Sequence, residues 1–147
     1  MKITIGSDHG AVDLKEEVKL VLKEFADIEI HDVGTFGNES VDYPDIAEKV
    51  CAEIVNGVSD RGIVLCGTGI GISIAANKIK GIRCALCGDV YSAKMSREHN
   101  DANVLALGGR VTGFGPAGEI VRAWITSEFT GGRHARRVNK IMALENK

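Results

Sequence analysis

Aromatic residues make up only 5% of this 147-residue chain, which argues against a stacking platform for nucleic-acid bases. No sign of charge dominates either: 18 basic residues face 20 acidic ones, for a formal net charge of −2. A globally driven attachment to nucleic acid or to anionic lipid is therefore not expected. Long hydrophobic runs are missing as well. The longest uncharged stretch, Gly62 to Asn77, is broken by Gly, Thr, Ser and Cys and is too short to span a bilayer. After Met1 and Lys2 the apolar run Ile3 to Ile5 stops at Gly6-Ser7-Asp8-His9, unlike the core of a signal peptide, so a cytoplasmic location is expected. The four cysteines, Cys51, Cys66, Cys84 and Cys87, sit in a chain long enough to build a core without staples, and free thiols are expected. The length fits one domain, residues 1–147.

What the chain has is glycine, 18 of them against 2 prolines, the composition of many tight turns and close backbone approaches. It also has a local charge asymmetry. From Gly131 to Lys147, Arg133, Arg136, Arg137, Lys140 and Lys147 are opposed by Glu145 alone, a segment able to collect a small anion.

Hydrophobic periodicity gives the organisation. Lys2 to Gly6 reads as a buried strand, and Ala11 to Phe25 follows as a helix with Leu14, Val18, Val21, Leu22 and Phe25 on one face. The alternation continues with strands at Ile28 to Val33, Gly62 to Leu65, Ile82 to Leu86 and Val104 to Leu107, and helices from Pro44 and over Ile72–Ile79, Val90–His99 and Pro116–Phe129. A last helix over His134–Glu145 closes the chain. Strands alternating with helices predict an α/β fold: a three-layer α/β/α sandwich on a five-stranded parallel, Rossmann-like sheet, plus a C-terminal helix. Ligands of such sheets lie beyond the carboxyl ends of the strands.

The strongest local signal there is Ile63 to Ser73, a strand running into the turn Cys66-Gly67-Thr68-Gly69-Ile70-Gly71 that opens a helix. It offers backbone amides and a helix N-terminus to an anion. It is not a dinucleotide fingerprint, since Ile72 stands where the third glycine would, and no P-loop lysine follows. Cys66 would face those amides, which favour a thiolate able to act as base or nucleophile; a small buried hydrophobe is the alternative. Asp8 and His9 share this rim if the first and third strands are neighbours, and can move protons or contact a phosphate; a helix cap by Ser7 or Asp8 is the simpler alternative. Arg133 and Arg137, one helical turn apart, could grip one phosphate or form an exposed basic face. Tyr43 is a rim hydroxyl or a core-edge tyrosine. His99 and Asn100 end a helix that leads away from the Cys66 rim, so they are a polar C-cap or serve a neighbouring subunit. Cys84 and Cys87 lie in a strand, where residues three apart point to opposite faces, and no metal-ligand cluster is present.

Gly6-Ser7-Asp8-His9-Gly10, Asp42-Tyr43-Pro44, Cys66 to Lys78, Ser96 to Asn103, and Gly131-Gly132-Arg133-His134 with Arg137, in this order, resemble the type B ribose-5-phosphate isomerase family. That family also includes the galactose- and allose-6-phosphate isomerases. The resemblance covers essentially the whole chain. It implies a homodimer with sites at the interface, in some members paired into a tetramer, and no cofactor. By position it implies Cys66 as the base, Thr68 as a hydroxyl moving protons between substrate oxygens, and His99 opening the sugar ring with help from Asp8. It further implies Tyr43 and Asn100 on sugar hydroxyls, and His9, Arg110, Arg133 and Arg137 on the phosphate; independently of the resemblance, the Gly67, Thr68, Gly69, Ile70 and Gly71 amides at the helix start can stabilise a developing enediolate. One subgroup uses a glutamate after the glycine-rich turn; Ile72 occupies that place, which puts this chain with the cysteine subgroup.

The expected activity is therefore the interconversion of ribose 5-phosphate and ribulose 5-phosphate, a pentose phosphate pathway step. Three alternatives stay open on sequence: a six-carbon sugar phosphate as substrate, a Rossmann-like nucleotide-binding module, and a thiol oxidoreductase working through Cys84 and Cys87.

Overall fold

The computed structural model describes all 147 residues. Five strands, β1 (Lys2–Ser7), β2 (Glu29–Asp32), β3 (Arg61–Cys66), β4 (Cys84–Leu86) and β5 (Val104–Gly108), form one parallel sheet in the order β2-β1-β3-β5-β4. Six α-helices accompany them: α1 (Val12–Leu22), α2 (Tyr43–Val55), α3 (Ile70–Asn77), α4 (Val90–Glu98), α5 (Phe114–Thr126) and α6 (Arg133–Ala143). This is the expected three-layer α/β architecture. None of the helices is long and apolar enough to cross a membrane.

Strand alternation sorts the core into two faces. Ile3, Ile5, Ile63, Leu65, Leu105 and Leu107 pack under α1 and α5 with Leu14, Val18, Ile120 and Trp124. Val64, Cys66, Val104 and Ala106 point the other way, against Ile46, Val50 and Ile72 of α2 and α3. Cys66 is thus the last side chain of its strand on the α2–α3 face.

Several boundaries differ from the sequence expectation for local reasons. Asp8 accepts the Gly10 amide and caps a short 3₁₀ turn, His9–Ala11, so α1 begins at Val12 rather than Ala11. The helix after the glycine-rich turn starts at Ile70, not Ile72, because Gly69 at φ 78° turns the chain straight into it. The expected strand from Ile82 is a regular strand only over Cys84–Leu86, the residues in register with Val104–Ala106 of β5.

The strand order decides where the site lies. From β1 the chain steps outward to β2 through α1, then returns through α2 to β3 on the other side of β1. That reversal opens a crevice between the carboxyl ends of β1 and β3. Because β5, not β4, pairs with β3, the Cys66↔Gly108 register brings the loop after β5 to the same place.

Candidate active site

Asp8 and Cys66 leave adjacent strands at this crevice. The Asp8 amide donates to the Leu65 carbonyl at 3.1 Å, and its Oδ1 accepts the Gly10 amide at 2.8 Å, so the carboxylate is a cap with its second oxygen uncommitted. Ser7, the other candidate cap, does not serve: its buried hydroxyl has no hydrogen-bond partner. His9 Nδ1 accepts the Val41 amide at 3.2 Å, which puts the proton of the neutral ring on Nε2 and leaves that nitrogen as an outward donor.

The turn after β3 holds a sulfur among amides. Cys66 is only 4% exposed, and its Sγ accepts the Gly69 amide at 3.2 Å. The Ile70 amide turns back to Thr68 Oγ1 at 3.2 Å. The amides of Gly67, Thr68, Gly71 and Ile72 donate to no acceptor within the chain, so two of the expected loop amides are spent internally while Ile72 adds one. Free donors at a helix start are the groups that stabilise a developing oxyanion. Only glycine fits at position 69, where a Cβ would lie 2.6 Å from the Leu86 side chain and 2.9 Å from the Leu107 carbonyl carbon. At position 71 a Cβ would come within 2.5 Å of the Tyr43 ring, so the missing side chain is what lets Tyr43 lie against the turn. Arg110 closes the rim: its amide donates to the Gly67 carbonyl at 2.9 Å and its guanidinium folds over Gly67.

The remaining candidates gather elsewhere. α4, capped at its start by Asp89, runs back to the amino end of the sheet and stops at His99. There the His99 and His134 rings stack with centroids 4.0 Å apart and planes 9° apart. Thr130 donates to the Glu98 carbonyl through its amide and hydroxyl, which docks the start of α6, with exposed Arg133 and Arg137, onto the end of α4. Arg83 donates to the Asp101 carbonyl at 2.9 Å, and Arg97 to Asp101 Oδ1 at 2.9 Å and the Ala102 carbonyl at 2.7 Å. These bonds hold the turn that presents Asn100. Partial burial, then the neighbouring charges of His99, Arg133 and Arg137, hold the His134 imidazole below its ordinary pKa.

The candidate residues therefore divide between the two ends of the sheet, separated by the length of β3, on the order of 15 Å or more. Asp8, His9, Tyr43, Cys66, Gly67–Gly71 and Arg110 are at one end; His99, Asn100, Arg133 and Arg137 are at the other. Of the expected phosphate contacts, His9 and Arg110 lie with Cys66, and the two α6 arginines lie with His99.

Burial keeps the other three thiols protonated. Burial pushes the Cys51 thiol up to about 12 and raises Cys84 and Cys87 as well. Cys84 packs against the α2–α3 core and Cys87 is buried in the opposite one, so the oxidoreductase reading has no dithiol to work with. Neither of the two principal cavities is lined by Cys66. The larger, about 620 Å³, lies between β4, α3 and the end of α6, with Asn100 at its edge; the smaller, about 230 Å³, lies beside His9, Asn38, Gly109 and Phe114. One chain alone thus offers a buried sulfur among unpaired amides at one end of the sheet, and an imidazole with two exposed guanidinium groups at the other.

Two further residues come into view. His134 lies within the motif Gly131-Gly132-Arg133-His134, and its stacking on His99 depends on how α6 docks. Lys15 is fully buried; its signal was a lysine four residues after Ala11 and three before Val18, on the apolar stripe of α1.

The ribose/galactose isomerase family profile matches residues 3–141. Ribose-5-phosphate isomerase B of Escherichia coli is 48% identical over 146 residues, covering 99% of this chain and 97% of that protein. Among solved structures, Clostridium thermocellum ribose-5-phosphate isomerase B superposes with a TM-score of 0.96 at 59% identity, covering 99% of this chain and 98% of the other. A ribose 5-phosphate isomerase of Thermotoga maritima gives 0.92 at 51% identity, over 97% of each chain.

Proposed function

We propose, because the chain belongs to the ribose/galactose isomerase family, that it is an aldose–ketose isomerase interconverting ribose 5-phosphate and ribulose 5-phosphate. The observation that carries this reading is the Cys66 turn: a sulfur accepting the Gly69 amide, beside the unpaired amides of Gly67, Thr68, Gly71 and Ile72. Isomerisation through a cis-enediolate needs a base at C2 and donors for the oxygen that becomes negative, and nothing from a cofactor.

In this reading the Cys66 sulfur removes the C2 proton, the resulting thiol exchanges with solvent, and it delivers a proton to C1, while Thr68 carries a proton between the two oxygens. The loop amides stabilise the enediolate. Removing one such donor typically costs about 2.7–4 kcal/mol of barrier, so the turn's shape matters as much as the thiol. Tyr43 contacts the sugar, and His9 and Arg110 contact the phosphate.

In this reading a second copy of the chain reunites the two groups of candidates. We place His99, Asn100, Arg133 and Arg137 of one protomer against the Cys66 rim of its partner in a homodimer with two composite sites. His99 then opens the furanose ring with Asp8, and the two arginines, one helical turn apart, clamp the phosphate. Remote binding energy from that clamp holds C2 against the sulfur.

The test is a direct assay of ribose 5-phosphate, allose 6-phosphate and galactose 6-phosphate under one set of conditions. Ribose 5-phosphate is expected to give the highest kcat/KM by at least about tenfold, the scale on which one extra carbon is discriminated. Higher kcat/KM for a six-carbon substrate would replace the substrate and keep the chemistry.

A further inference from the structure

The loop from Val33 to Asp42, which joins β2 to α2, begins beside a buried cation and ends on an active-site histidine. Lys15, on α1, is entirely buried. Its ammonium donates to Asp32 Oδ1 at 2.9 Å and to the Thr35 carbonyl at 2.6 Å, and lies 4.2 Å from the centre of the Phe36 ring. Asp32 also accepts the Gly34 amide at 2.9 Å and Lys19 at 3.0 Å. Ser7 adds two backbone bonds, its amide to the Gly34 carbonyl at 2.8 Å and its carbonyl from the Thr35 amide at 2.7 Å. Gly37 to Ser40 are then exposed. The next anchor is Val41, whose amide donates to His9 Nδ1.

A fully buried ammonium is costly unless it is paired and hydrogen-bonded. A methionine of similar shape would fill this space without that cost and leave Asp32 its bond to Lys19. What methionine could not do is bond the Thr35 carbonyl. Lys15 therefore ties the entry of the loop to α1, and the tie has a consequence at the other end: the same loop supplies the amide that fixes the His9 ring and Asn38 beside the cavity that His9 lines.

We propose that Lys15 is a positioning residue for substrate binding. By clamping the start of the loop to α1 it keeps the Val41 amide on His9 Nδ1, so that His9 presents a protonated Nε2 to the anionic end of the substrate. In naming that ligand the inference rests on the isomerase reading; the positioning itself does not.

The test compares the wild-type protein with Lys15→Met and Phe36→Ala by amide hydrogen exchange, by ¹⁵N NMR of the His9 ring, and by kinetics with ribose 5-phosphate. Lys15→Met is expected to speed exchange at Val41 by about tenfold or more while leaving β1 and β3 amides unchanged. The His9 Nδ1 resonance should move toward that of a free imidazole, and KM should rise by about tenfold with kcat within about threefold. Phe36→Ala, an exposed change, should act in the same direction and more weakly, and it decides the matter if Lys15→Met does not fold. Wild-type Val41 exchange and KM in the folded variants would overturn the proposal, as would faster exchange spread over the whole chain. If the wild-type protein isomerises no sugar phosphate, the functional reading fails, and the exchange and NMR comparison still decides what Lys15 does.

Discussion

The Gly69 amide points at the Cys66 sulfur across 3.2 Å, and the same residue that makes this bond makes the turn possible. Gly69 sits at φ 78° with no room for a Cβ. Gly69→Ala should therefore lower stability by more than about 1 kcal/mol, because the left-handed conformation and the collision with the Leu107 backbone both oppose the methyl group. It should also tilt the amide off the sulfur and cut kcat/KM by about a hundredfold or more. Thermal unfolding and steady-state kinetics check the two parts separately; a stable variant with unchanged kcat/KM would show that the turn's geometry is not needed.

The stacked His99–His134 pair gives a pH signature. His134 is held below its ordinary pKa by partial burial and by positive neighbours, so the folded state binds fewer protons there than the unfolded state. Its contribution favours the folded state above the unfolded value near 6.5 and turns against folding as pH drops through it. NMR titration should find His134 titrating below pH 6.5, and Arg133→Gln with Arg137→Gln should move it upward. A midpoint at or above 6.5, or one unmoved by the arginine substitutions, would show that these neighbours do not depress the imidazole.

Asp32 supplies the opposite case. Burial alone would raise its carboxyl, but hydrogen bonds from Lys15, the Gly34 amide and Lys19 outweigh it and the pKa falls. That stabilisation is present above the ordinary carboxylate range and is lost as pH falls through the lowered value. Asp32→Asn should flatten the acid limb of a stability-versus-pH curve below about pH 4; an unchanged acid limb would mean the ion pairs contribute nothing to folding.

Composite sites make a prediction that needs two inactive proteins. A heterodimer of Cys66→Ala and His99→Ala chains would contain one site with both residues intact, so random mixing should restore about a quarter of wild-type turnover. Verified heterodimers with no activity would refute the contribution of His99 from a partner.

Much of this arrangement is legible in the sequence because it is local. The period of Leu14, Val18, Val21 and Leu22 marks α1, and Cys66 at the end of an apolar run followed by three spaced glycines marks a strand-to-helix turn. The strand order is not local. Nothing in the residues says that β5 inserts between β3 and β4, yet that choice alone carries Arg110 to Gly67. The same holds for Lys15, a lysine on an apolar stripe whose partners, Asp32 and Thr35, come from another strand and its loop. Asp8 was readable as a cap or as a catalytic acid; the fold makes it a cap with one oxygen free.

In the proposed isomerisation the Cys66 sulfur takes the proton from C2. Cys66→Ala in D2O with ribose 5-phosphate, followed by NMR of the C2 hydrogen, tests it without reliance on product release. Deuterium incorporation and turnover should both fall by about 10²–10⁴-fold, while inorganic phosphate still competes for the site with wild-type affinity. Deuterium exchange at the wild-type rate in the alanine variant would remove Cys66 from the chemistry.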